Sequence, residues 1–75
     1  MNIKDFVTQL AEEFDDEPQP IEAHTAFRSL DMWSSMQALI VIARINEDYE
    51  VLLSEEDLQQ SQTFADLFDR VVALK

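Results

Sequence analysis

Two adjacent serines, Ser34 and Ser35, stand immediately before a dense apolar run, and their hydroxyls are the groups whose placement suggests chemistry. The stretch Ser34-Ser35-Met36-Gln37 has the composition of a helix start with Ser34 as its N-cap. Its hydroxyl can accept from the amide of Gln37 while the Gln37 side chain reaches back, satisfying two free backbone donors. Ser35 then sits on the first turn, at the positive end of the helix dipole and beside unpaired amides. A phosphate esterified to its hydroxyl would be stabilised there. The plain alternative is that the pair only caps a helix. Other candidates are poorer. His24 is the sole histidine, with no serine or cysteine beside it, which points to a surface or capping role. Asp15, Asp16 and Glu17 lack the spaced oxygens and glycine turn of a calcium loop, so they read as a solvated acidic corner and no metal site is expected.

Holding a reactive serine at a helix start requires a fold that 75 residues can sustain. That length is one domain, near the lower size at which a single core suffices. There is no cysteine for a disulfide framework and no glycine. Helices satisfy their own backbone groups locally, so a compact helical bundle is the natural solution. Sixteen acidic against five basic side chains give a net charge of -11, which repels nucleic acid and anionic membranes and calls for basic partners. An apolar fraction of 47% with five Phe is too high for a disordered acidic tail, so the chain is expected to fold. No segment is long enough to span a bilayer, and Met1-Asn2-Ile3-Lys4-Asp5 lacks the build of a secretion signal. A cytoplasmic protein is expected.

Asn2 is a plausible cap for a first helix, with Ile3, Phe6, Val7, Leu10 and Phe14 at helical spacing as its core stripe. Pro18 and Pro20 end it. The connection from Asp15 to Trp33 is longer than unstructured loops usually run, so it must be pinned. Ile21, Phe27 and Leu30 are the expected anchors, with His24, Arg28 and Asp31 left in water. The second helix, Ser35 to about Asp48, is apolar nearly all round. Helical geometry predicts Ala38, Leu39, Ile42, Ile45 and Tyr49 on its inner side and Gln37, Arg44, Glu47 and Asp48 opposite. Ile40 falls among the polar group, as either an ordinary exposed side chain or part of a docking surface. Ser54 caps a short acidic third helix, with Leu53 and Leu58 as a hydrophobic staple across its start. Thr63 with Asp66 opens the last helix, whose expected core stripe is Phe64, Leu67, Phe68, Val71 and Val72. Arg70 and Lys75 put positive charge at its negative end.

This order of helices resembles an acyl carrier protein over essentially the whole chain, 1–75. The resemblance rests on Thr25-Ala26-Phe27-Arg28-Ser29-Leu30 in the loop, Trp33-Ser34-Ser35-Met36 at the helix start, Ile45 to Val51 closing the second helix, and Thr63-Phe64-Ala65-Asp66-Leu67 opening the last. It implies an all-α fold, a small four-helix bundle of acyl-carrier type with three longer helices, one short third helix and a long loop between the first two. In that family the serine of an Asp-Ser-Leu motif carries 4'-phosphopantetheine, whose thiol holds an acyl group as a thioester. The matching triplet here is Ser34-Ser35-Met36, so the resemblance makes Ser35 the attachment residue, flanked by Ser34 and Met36.

The implied protein is a carrier rather than an enzyme. It would be a monomer serving fatty-acid, polyketide or related biosynthesis. Its partners would be a phosphopantetheinyl transferase and acyl-loading and condensing enzymes with basic docking patches. Ser34 stands in place of the usual aspartate, removing one acidic contact with the transferase or its metal. The approach Asp31-Met32-Trp33 is one residue longer than usual and lacks the family's glycine. Gln37, Ile40 and Asn46 stand where acids are frequent, so docking would lean on Met36 and Ile40 with Glu47 and Asp48 as the remaining charges. A peptidyl or aminoacyl carrier, and an unmodified carrier-like acidic interaction module, are the competing readings.

Overall fold

The computed structural model describes residues 2–15 and 17–75. Helix α1 (Ile3–Ala11) runs on into a 3-10 turn, Glu12–Phe14; a second 3-10 turn, Phe27–Ser29, punctuates the long loop; α2 (Ser35–Tyr49), α3 (Glu55–Gln59) and α4 (Phe64–Leu74) follow. This is the expected all-α arrangement of three longer helices and a short third. Asp16, one of the three acids of the expected corner, lies outside the described residues.

Every helix begins where a short polar side chain can take up a free amide. Asn2, Ser34, Ser54 and Thr63 accept from the amides of Asp5, Gln37, Asp57 and Asp66. At α3 and α4 the acid three residues on returns the bond, closing full capping boxes. Helix α2 ends on Glu50 in the left-handed region (φ 58, ψ 34), a position glycine usually fills and which this glycine-free chain gives to a glutamate.

The core draws Phe6, Val7 and Leu10 from α1, Val41 and Ile45 from α2, Leu58 from α3, and Phe64, Leu67 and Val71 from α4, all buried. The loop is pinned as expected, with Phe27 and Leu30 buried and Ile21 packed on the core. Its backbone is also stitched to the start of α4: Ala65 N donates to Ala23 O at 2.8 Å, and Phe27 N to Gln62 O at 3.2 Å. Leu53 and Leu58, the expected staple, are both buried.

Several side chains depart from expectation, each for a tertiary reason. Leu39 is 56% exposed, whereas Gln37 is buried. The carbonyl of Glu13, in the 3-10 turn that follows α1, accepts from Gln37 Nε2 at 2.7 Å, so α2 is rotated to bring Gln37, Val41 and Ile45 inward. Val72 is half exposed, on the side of α4 away from the buried Phe64, Leu67 and Val71. Arg28 is exposed at the surface, yet its guanidinium donates to Ser61 O at 2.6 Å and Leu58 O at 2.5 Å. Lys75 does not cap its own helix with its side chain; Nζ reaches Tyr49 O, at the end of α2, at 2.9 Å. Arg70 binds Asp57 and Gln60. Glu17 of the acidic corner is not simply solvated, since its carboxylate accepts from Met32 N at 2.7 Å.

The capping acids titrate below the ordinary carboxylate range. Asp57 is lowered first by the amide of Ser54, and Asp66 by the amides of Gln62 and Thr63. A carboxylate whose pKa falls on folding adds stability only while ionised, so this contribution is complete above the unfolded value of about 4 and is lost as pH falls through the folded values. Circular dichroism on acid titration should therefore show stability declining below about pH 4, with a flatter decline in the doubly substituted Asp57→Asn, Asp66→Asn chain. An identical decline in that variant would assign the acid sensitivity to other carboxylates.

Candidate functional site

Ser34 has an extended backbone (φ -158, ψ 173), and its Oγ accepts from Gln37 N at 3.1 Å. The helical ladder starts with Ala38 N on Ser34 O at 2.9 Å, so Ser35 is the first helical residue. The expected reciprocal bond from Gln37 is absent, because that side chain is turned inward to Glu13. Ser35 is exposed, and among the described residues its hydroxyl has no hydrogen-bond partner. The amides of Ser35 and Met36 precede the ladder and likewise have no acceptor among the described residues. The result is one engaged serine and one free serine, side by side at the positive end of a 15-residue helix.

Beside them opens a groove of about 440 Å³ between α2 and α3, lined by Trp33, Ala38, Leu39, Ile42, Leu58 and the polar Arg28, Glu55 and Gln59. Trp33 is held in place by a stacked contact with Phe14 (centroids 6.4 Å apart) and a tilted one with Phe27 (4.8 Å). Neither the groove nor the role of Leu39 was apparent in the sequence. The available signal was that a helix apolar all round must leave some side chains uncovered.

Of the expected docking residues, Met36 is 71% exposed and Ile40 is half-buried, outside the set packed against the core. Glu47 is exposed and has no ion pair among the described residues. Asp48 is held by Arg44, Oδ2 lying 2.6 Å from Nε, and the same guanidinium reaches Glu13 at 3.0 Å and Glu12 at 2.9 Å. The exposed apolar stripe on this face is therefore Met36 with Leu39. His24 stays at the surface against Glu22. Among the described residues no group of three or more His, Asp or Glu side chains could hold a metal ion, and no helix is long and apolar enough to cross a membrane.

A family model described as the phosphopantetheine attachment site matches residues 4–71. The chain belongs to the phosphopantetheine-attachment family. Its fold is similar to the solution structure of the holo acyl carrier protein from Geobacter metallireducens, with a TM-score of 0.77, 21% identity, and coverage of 96% of this chain and 83% of that one. Among curated proteins no relative matches this chain. Membership in the phosphopantetheine-attachment family brings covalently attached 4'-phosphopantetheine as the prosthetic group, in a class of carriers that are generally non-catalytic and interact with partner enzymes. When bound, the group supplies a terminal thiol that holds an acyl unit, a function for which this cysteine-free chain has no side chain. The residues here fit it. Among the described residues the Ser35 hydroxyl is exposed and unengaged, and the amides beside it that have no acceptor favour a phosphodiester anion.

The two acids at the end of α2 should behave differently on substitution. Asp48→Ala removes the shortest contact of a partly buried guanidinium and should cost up to about 1 kcal/mol in urea unfolding. Glu47→Ala should leave the unfolding midpoint unchanged. Equal effects would mean that the Arg44–Asp48 pair within α2 adds nothing to stability.

Proposed function

We propose that this chain carries acyl groups as thioesters on a 4'-phosphopantetheine arm esterified to Ser35, handing them to enzymes of fatty-acid, polyketide or related biosynthesis. The observation that carries the reading is the division between the two serines. Ser34 Oγ is occupied as the helix cap, whereas the Ser35 hydroxyl is exposed and free among the described residues. Residues 1–75 act as one carrier domain, monomeric and cytoplasmic, and catalysis resides in the partners. A phosphopantetheinyl transferase installs the arm, and loading and condensing enzymes meet the carrier at Met36, Leu39 and Ile40, with Glu47 as the free charge and Asp48 behind it. Basic patches on those enzymes suit the net charge of -11.

A second reading, an acidic interaction module that is never modified, is favoured by one feature. Ser34 places no carboxylate beside the attachment residue, and its hydroxyl is already engaged. Intact mass after incubation with coenzyme A and a broad-specificity phosphopantetheinyl transferase separates the two. The expected result is one added phosphopantetheine on the native chain and on Ser34→Ala, and none on Ser35→Ala. Ser34→Ala should also unfold about 1 kcal/mol more easily through loss of the cap. A folded native chain that gains no mass with several transferases overturns the carrier reading and leaves the interaction module.

A further inference from the structure

The chain reaches Ser35 through a β-turn. Trp33 N donates to Leu30 O at 3.0 Å, with Asp31 and Met32 at the central positions, and Ser34 then caps α2. The turn's own bond does not use the Met32 amide. That amide donates instead to the carboxylate of Glu17, whose Oε2 lies 2.7 Å away in a part-buried contact. Glu17 is itself fixed, since its N donates to Phe14 O at 3.1 Å and the following Pro18 turns the chain away from helix.

Three groups just beyond α1 thus grip the chain on both sides of Ser35. Glu17 holds Met32, the Phe14 ring stacks on Trp33 with centroids 6.4 Å apart, and Glu13 O accepts from Gln37 Nε2 at 2.7 Å. Phe14 and Gln37 are buried and serve the core as well. Glu17 is half-buried, and among the described residues its carboxylate has no other partner, so its contribution is local. Each residue of the approach has two soft dihedrals, and those of Met32 and Trp33 set the direction in which the chain enters α2. The amide of a first helical residue has no intrahelical bond, so Ser35 takes its position partly from the segment before it. Without Glu17 the Met32 amide would be a part-buried donor with no acceptor, and the turn would shift to find one.

We propose that Glu17 is a positioning residue for the modification of Ser35: its carboxylate fixes the Leu30–Trp33 turn, and the turn holds the Ser35 hydroxyl ready for esterification. This rests on the carrier reading. In the transfer, Ser35 Oγ bonds to the phosphorus that bears the pantetheine arm of coenzyme A. The pyrophosphate bond breaks, adenosine bisphosphate leaves, and the hydroxyl proton passes to a base of the transferase. Glu17 touches none of these atoms. A hydroxyl already held in place loses less freedom on reaching the attack geometry, so the effect falls on the chemical step. Docking through Met36, Leu39 and Ile40 is spared.

The test is steady-state transfer from coenzyme A by a broad-specificity phosphopantetheinyl transferase to the native apo chain, Glu17→Ala and Glu17→Gln, with amide NMR relaxation of all three. In Glu17→Ala, kcat should fall about tenfold, the factor expected when one residue's backbone must be ordered anew before reaction, with KM unchanged. Glu17→Gln keeps an acceptor oxygen and should recover most of that loss. Order parameters of the Met32 and Ser35 amides should drop from about 0.85 towards about 0.6 in Glu17→Ala, while those of Val41 and Ile45 stay at the native level. A folded Glu17→Ala chain with native kcat, or one altered in KM alone, overturns the proposal. So does a Glu17→Ala chain that fails to fold or loosens equally at Val41 and Ile45, because the bond would then serve the whole fold. A native chain whose Met32 and Ser35 amides already lie below about 0.6 overturns it without any variant. A native chain that takes no arm from several transferases overturns the carrier reading and this proposal with it.

Discussion

The hydrogen bond from Gln37 Nε2 to the carbonyl of Glu13 sets the rotation of α2, and most of the site follows from that rotation. A part-buried carbonyl is costly to leave without a donor, and Gln37 supplies one to the turn that follows α1. With Gln37 inward, the residues one and two turns on, Val41 and Ile45, enter the core and become fully buried. Ser35, two positions earlier on a helix, must then point away from α1. Leu39 and Ile42, four and seven residues beyond Ser35, continue its face and line the groove that starts there. One amide in the core thus determines that the Ser35 hydroxyl is in solvent and that an apolar stripe runs away from it.

Features decided within a few residues could be read from the sequence. Each cap needs only a short polar residue and an amide nearby, and Ser34, Ser54 and Thr63 announce theirs. Phe27 and Leu30 are large apolar residues in a polar loop, so their burial was equally legible. The phase of α2 was not, because a helix apolar nearly all round offers no strong preference for one face. What broke the degeneracy was Glu13, 24 residues away from Gln37. Arg28 and Lys75 hid their roles for the same reason. Their acceptors are backbone carbonyls of other helices, which no local pattern displays. For the site, the position of Ser35 on the first turn was readable, whereas the groove needs α2 and α3 side by side.

Cations are scarce in this chain, and nearly all are spent inside it. Arg28 holds the end of α3, Arg44 ties α1 to α2, Arg70 ties α3 to α4, and Lys75 closes the end of α2. Among the described residues only Lys4 has no such engagement. The positive charges act as internal fasteners, and the outward field is left to the acids. Salt therefore pulls fold and recognition apart. Screening relieves repulsion within a surplus of eleven negative charges and firms the bundle, while it dims the field by which a basic enzyme would find the carrier.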